Sequence, residues 1–307
     1  MRRELIKRSQ YVEPEMPQGG VKIAVGCFDW RLREAFMAFF QWIIKSDNFV
    51  RMNFPGGAKL INDPIANDYV IHEFFASQLI ERGDLEGYIL DHSGCLAWGG
   101  SAVFSEMMEE RKFHFNQLRN SRMNLNRSFP GRKLNIHLYY AEFFVENGQG
   151  FLRYIEVDTE EVILVVEFTM PQTHITEKIV VGSFSWKTRR AFIDFMSDHL
   201  ETECFFRLNF REGSKLINDR CGRLLVPYFF DTPIKKCGTR EILLLDQSGR
   251  PESIHMDGEQ EFQFYGEQLL SAKAHLMRGY KDWQVMVNTV YAEICSGYID
   301  YWRVLED

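Results

Sequence analysis

Three side chains able to bind a soft divalent ion sit at the ends of two apolar runs. Cys27 closes Lys22-Ile23-Ala24-Val25-Gly26-Cys27, and His92 and Cys95 close Leu90-Asp91-His92-Ser93-Gly94-Cys95. Two thiolates and one imidazole form a three-ligand zinc set. A catalytic zinc keeps its fourth position for water or substrate, whereas a structural one fills it with protein. Asp29, two residues beyond Cys27, can reach that fourth position, either to accept a hydrogen bond there or to ligate the metal and close the site. Arg31 can hold Asp29 off the metal by a bidentate contact. The pattern Asp29-x-Arg31 also fits an acidic N-cap at a helix start with incidental pairing.

A duplication separates these residues from core filler. Phe49–Asp63 returns as Phe205–Asp219 with ten of fifteen positions identical at an offset of 156. Lys22–Trp30 falls on Lys178–Trp186 at the same offset. Leu90–Cys95 falls on Leu245–Arg250 at an offset of 155, and Tyr140-Ala141-Glu142 on Tyr291-Ala292-Glu293. At the ligand positions the second copy carries Ser183, Gln247 and Arg250. A lone buried cysteine is usually a small hydrophobe, but nothing would couple three losses if these residues only filled a core.

The elements that must position them follow from the pattern of each copy. Residues 21–28 predict a buried strand. Residues 31–46 place Ala35, Phe36, Phe39, Phe40, Trp42 and Ile43 at helical spacing. A strand at 49–53, a loop at Pro55-Gly56-Gly57, a helix at 67–82, a strand at 86–91 and a helix at 99–120 come next. Strands at 134–144 and 151–157 end the unit, with Asn147-Gly148 as a hairpin signal between them. Strands alternating with helices imply an α/β fold with a mainly parallel sheet flanked by helices. Ligands gather at the carboxyl ends of such strands. The expected organisation is an N-terminal arm over 1–20, a metal-binding unit over 21–160 and a degenerate repeat over 161–307.

Composition excludes several other classes. The 307 residues carry 36 Lys and Arg against 43 Asp and Glu, a net charge of −7. A nucleic-acid binder would carry a basic face. No apolar run approaches the roughly 20 residues of a membrane span. The basic start, Met1-Arg2-Arg3-Glu4-Leu5-Ile6-Lys7-Arg8, lacks the apolar stretch of a signal peptide. Six cysteines are too few for a disulfide scaffold. A cytoplasmic protein with reduced cysteines is expected.

Cys27-x-Asp29-x-Arg31 after one strand and His92-x-x-Cys95 about 60 residues later resemble the β-class carbonic anhydrases. Arg51-Met52-Asn53-Phe54-Pro55-Gly56-Gly57 is similar to that family's Arg-Asn-x-Gly-Gly loop with a one-residue expansion. The order of elements extends the resemblance over most of 21–120 and, through the repeat, more weakly over 178–305. The resemblance implies Zn2+ held by Cys27, His92 and Cys95. It implies hydration of CO2 to bicarbonate by metal-bound hydroxide, with Asp29 and Arg31 as a dyad gating the fourth position. Family members are usually dimers, so it also implies that the two copies pack as an intramolecular pseudo-dimer with one live cleft. Phe54, Phe184 and Phe210 are then candidates for its apolar lining. The sequence departs from the family at Phe28 and Trp30, where small residues are usual, and at Leu96, where Gly is usual. These changes bear on what fits the cleft.

Two other functions keep the same ligands. One is a non-catalytic, zinc-stabilised scaffold or binding module with Asp29 closing the site. The other is a related zinc hydrolase acting on a small sulfur-containing electrophile. His72, His114, His137, His174, His199 and His255 show no spacing that marks a proton shuttle. Cys204, Cys221, Cys237 and Cys295 read as structural.

Overall fold

The chain begins with strand β1 (Arg2–Gln10), which pairs with the last strand of the molecule rather than with the next one. In the computed structural model, which describes residues 1–13, 22–27, 29–46, 49–71, 75, 85–169, 178–182, 187–200, 205–209, 214–236, 238–248 and 255–306, the chain forms two units. One is Pro17–His174, and the other joins Met1–Met16 to Ile175–Asp307.

In the Pro17–His174 unit, strands β2 (Lys22–Cys27), β3 (Phe49–Phe54), β4 (Leu85–His92), β5 (Leu134–Glu146), β6 (Gln149–Glu156) and β7 (Val162–Glu167) form one sheet in the order β3-β2-β4-β5-β6-β7. The pairs β2–β3, β2–β4 and β4–β5 are parallel. The central strands read as continuous apolar runs because both faces are covered: Ile23, Ala24 and Val25 have no exposure. Asn147 and Gly148 both adopt positive φ, 50° and 80°, which matches the primed hairpin turn expected between β5 and β6.

Helix α1 (Arg33–Ile44) lays Phe36, Phe39, Phe40 and Ile44 into the core, with Phe39 stacked on Tyr154 at 4.3 Å. Trp42, grouped with that face in the sequence, is instead 47% exposed. The short helices α2 (Lys59–Asn62) and α3 (Asn67–Val70) come next. Much of the helix expected at 67–82 falls outside the described residues. The long helix α4 (Met107–Ser128) packs on β4 and β5. It begins eight residues later than the pattern predicts. Gly99 and Gly100, at φ 102° and 78°, hold the chain out of the right-handed helical region, so 96–103 forms two 3-10 turns instead.

The other unit repeats this plan with β8 (Lys178–Gly182), β9 (Phe206–Asn209), β10 (Glu241–Gln247), β11 (Met286–Cys295) and β12 (Tyr298–Leu305). Its helices are α5 (Arg189–Leu200), α6 (Lys215–Asn218), α7 (Arg220–Asp231) and α8 (Gly258–Gly279). The sheet order is β9-β8-β10-β11-β12-β1, again with a parallel centre. Individual contacts are duplicated. The Tyr154 hydroxyl donates to Ala35 O at 3.0 Å, and that of Tyr301 to Ala191 O at 3.2 Å. Asn62 Nδ2 donates to Gln117 Oε1, and Asn218 Nδ2 to Gln268 Oε1, both at 2.9 Å.

The sixth strand of each sheet comes from the segment that precedes the opposite repeat. β7 immediately precedes the second repeat yet completes the first sheet, running antiparallel to β6. β1 precedes the first repeat and completes the second sheet, antiparallel to β12. The offset of 156 that relates the repeats places Ile6–Gln10 on Val162–Val166. The first sheet thus runs past residue 160, and the 1–20 segment contributes a strand to the other unit. Among the described residues, no helix is long and apolar enough to cross a membrane.

Candidate metal centre

In the sheet containing β2 and β4, the chain runs from β2 outward to β3 and then returns to β4 on the other side of β2. The carboxyl ends of β2 and β4 therefore flank the point where strand order reverses, the usual place for a ligand crevice in an open parallel sheet. Cys27 is the last residue of β2 and His92 the last of β4. Gly94, at φ 66°, turns the chain so that Cys95 comes back toward both. The donor atoms of Cys27, His92 and Cys95 lie within 4.8 Å of one another, and all three residues are buried. Both thiols are free, with their Sγ atoms 3.7 Å apart.

This donor set fits a metal ion. His92 Nδ1 donates to Ser93 O at 2.8 Å, so a neutral ring carries its lone pair on Nε2. Nε2 is buried and has no hydrogen-bond partner. A buried imidazole nitrogen beside two sulfurs needs an acid at that position, a proton or a metal ion, and S/N/S donors suit a borderline-soft divalent ion.

The metal-free group is also strongly polarised. Burial opposes ionisation of Cys27, but the Cys95 hydrogen bond and the facing His92 outweigh it and bring the thiol down to about 5. Burial opposes the charged form of His92, and the charge of Cys27 overrides it, raising the imidazole to about 9. Cys95, which donates to Cys27 and is itself buried, is pushed well up.

Asp29 is not in the ligand group. Arg31 Nε donates to its Oδ1 at 2.9 Å, and Arg31 NH2 to its Oδ2 at 2.5 Å. The backbone N–H of Arg31 also donates to Oδ1, at 3.1 Å, so the same carboxylate caps the 3-10 turn Trp30–Leu32. The capping and dyad patterns seen in the sequence are both realised. Burial raises the Asp29 pKa, but the Arg31 hydrogen bonds and nearby positive charge more than reverse this and hold the carboxyl below its ordinary value.

Several residues that sequence reasoning did not single out fasten the ligand turn. Asp91, fully buried, accepts the His92 backbone N–H at 3.0 Å, Trp98 Nε1 at 3.2 Å and His114 Nδ1 at 2.9 Å. Glu110 accepts the Gly94 N–H at 2.7 Å. Ser93 Oγ accepts the Phe143 N–H at 2.9 Å. Trp98 Nε1 also reaches Gly56 O at 3.2 Å, and Lys59 Nζ reaches Ala97 O at 2.5 Å, which ties the Gly56-Gly57 loop to the same turn. Gly57, at φ 49°, sits where a Cβ would lie 2.6 Å from Leu90 O.

A cavity of about 390 Å³ adjoins the centre, with Arg31, His92, Glu110, Phe104, Phe143 and Leu152 in its wall. Phe54 is fully buried opposite Cys27 in the β2–β3 register. Phe28, Phe184 and Phe210 lie outside the described residues, as do Ser183 and Arg250. Gln247, in the place of His92, accepts from Thr188 Oγ1 at 3.2 Å.

No model of a known protein family matches the chain, and neither does any curated protein.

Proposed function

We propose that the protein is a zinc-dependent carbonic anhydrase of the β-class type that hydrates CO2 to bicarbonate. The observation that carries the proposal is the convergence of Cys27, His92 and Cys95 in one buried group, beside an Asp29 that Arg31 keeps out of it. Zinc, held by Cys27 Sγ, His92 Nε2 and Cys95 Sγ, would supply Lewis acidity that lowers the pKa of water from 15.7 toward about 7. Asp29, kept ionised by Arg31, is a hydrogen-bond acceptor beside the centre and orients the nucleophile. Arg31 also lines the adjoining cavity, where its positive charge would favour an anionic product. Ser93 O fixes the His92 tautomer, and Asp91 fixes the His92 backbone.

The held-back Asp29 weighs against a closed, purely structural site, which needs a fourth protein ligand. The same residues also serve a second reading, hydrolysis of a small sulfur-containing electrophile, whose larger sulfur atoms the adjoining cavity of about 390 Å³ accommodates.

Zinc-loaded protein tested by stopped-flow CO2 hydration, beside Cys27→Ala, decides between these. A rate above background that is lost with the zinc in Cys27→Ala supports the proposal. Folded, zinc-loaded protein with no CO2 hydration overturns it, and turnover in a panel of sulfur electrophiles would then establish the second reading. Equal zinc content in wild type and Cys27→Ala overturns the ligand assignment itself.

A further inference from the structure

Glu110 and His114 are polar residues one turn apart on α4, yet they are only 3% and 0% exposed. His114 Nε2 lies 3.9 Å from Glu110 Oε1. Both reach the turn that carries the ligands. Glu110 Oε1 accepts the N–H of Gly94, which lies between His92 and Cys95, at 2.7 Å. Ser101 Oγ fixes the same carboxylate at 2.9 and 3.2 Å. His114 Nδ1 donates to Asp91 Oδ2 at 2.9 Å, and Asp91 Oδ1 accepts the His92 N–H at 3.0 Å. Two backbone amides of the ligand turn thus end on carboxylates that one helix holds or orients.

The other unit shows which part of this is packing. An offset of 151 places Tyr265 at the position of His114. The ring contact survives the change: His114 stacks on Tyr140 at 5.3 Å, and Tyr265 on Tyr291 at 6.1 Å. Asp246, the counterpart of Asp91, is equally buried, but it takes the Ser214 hydroxyl and, at 3.4 Å, the Ser214 N–H. Ala58 stands at that position in the first repeat. A phenol ring takes the same stacked place, and a serine stands against the buried carboxylate. The imidazole donor occurs in the repeat that has Cys27, His92 and Cys95, whereas a carboxylate stands at the Glu110 position in both repeats, as Glu261 in the other.

We propose that Glu110 and His114 are positioning residues that hold the His92–Cys95 turn in its metal-ligating conformation. The proposal rests on the zinc assignment above. Outer contacts of this kind raise metal affinity by keeping the ligands oriented before the ion arrives.

The decisive variant is the double substitution A58S/H114Y, which transplants the arrangement of the degenerate repeat. Asp91 keeps a hydroxyl partner and Tyr140 keeps a stacked ring, so the fold is spared while the clamp is removed. Glu110→Leu removes the other contact, and His114→Asn and Glu110→Gln are the conservative rescues. Zinc affinity should fall about 10- to 100-fold in A58S/H114Y and in Glu110→Leu, and return to within a few-fold of wild type in the rescues. The visible bands of cobalt-substituted protein should shift in the same two variants. In metal-free protein, hydrogen exchange should quicken at the His92 and Gly94 amides. Wild-type affinity and cobalt bands in A58S/H114Y and Glu110→Leu would overturn the proposal. Wild-type protein that binds no zinc overturns the zinc assignment instead, and unchanged exchange at the two amides then overturns the clamp separately.

Discussion

Arg31 grips Asp29 at both carboxylate oxygens, through Nε at 2.9 Å and NH2 at 2.5 Å, with Asp29 only 10% exposed at its side chain and Arg31 31%. This contact keeps a carboxylate two residues from Cys27 out of the ligand group. Removing the guanidinium frees Asp29 to turn toward the metal and leaves it without its charge partner. Arg31→Ala should therefore retain zinc but lose CO2 hydration by about 100-fold or more, the usual scale for displacing a positioned acid–base group. Stopped-flow rates beside metal analysis check it. Wild-type turnover in Arg31→Ala would remove the dyad from the mechanism.

Zinc should stabilise the folded protein by mass action, since the ligands come from separate strands and converge only in the native state. At zinc a thousandfold above its Kd the gain is about 4 kcal/mol, read as a rise in Tm that Cys95→Ser abolishes. Because Cys27 and Cys95 must bind as thiolates, protons compete with the ion, and affinity should weaken as pH falls. Metal titrations followed by calorimetry at several pH values measure this.

Strand β1 completes the sheet of the unit that does not contain Cys27, His92 and Cys95. Arg8 makes a bidentate contact with the buried Asp300, at 2.6 and 2.7 Å. Deleting residues 1–10 leaves Asp300 unpaired and the edge of β12 exposed, an invitation to edge-to-edge association. The deletion should lower the denaturant midpoint of that unit and promote aggregation, while zinc content stays at the wild-type value. Urea unfolding, light scattering and metal analysis follow the three outcomes. A truncated protein as stable as wild type would show that β1 adds nothing.

Arg122 binds Asp158 through two hydrogen bonds of 2.6 and 2.8 Å, and this contact holds the carboxyl below its ordinary value. A depressed carboxylate contributes stability that is complete above its unfolded pKa, near 3.9, and is lost as pH falls through the folded value. Asp158 is 46% exposed at its side chain, so screening limits the contribution to about 0.5 kcal/mol. Asp158→Asn should cost that much at pH 7, with the difference shrinking to nothing in strong acid. Unfolding free energies at pH 7 and pH 2.5 test the sign, and a deficit that grows on acidification would contradict it.

The amino-acid sequence by itself carried the grouping of Cys27, His92 and Cys95 and the parallel core. Cys27, His92 and Cys95 stand out because the second repeat keeps the scaffold and changes all three, and apolar runs such as Ile23-Ala24-Val25 mark strands covered on both faces. Asn147-Gly148 announced its hairpin because that turn needs two positive φ angles. These signals are local, or repeated at a fixed offset.

Tertiary structure decided the rest, because the deciding contacts join residues far apart in the chain. His114 lies on the buried face of α4 like any core residue, and its role emerges only from the bond to Asp91, 23 residues earlier. Trp98 and Gly56 meet across 42 residues. β1 finds β12 at the opposite end of the chain, and β7 joins the sheet of the repeat before it. Strand pairing satisfies backbone donors and acceptors whatever the side chains are, so an edge strand's partner leaves little mark on composition. Which carboxylate accepts a given N–H depends on where the folded backbone places both groups.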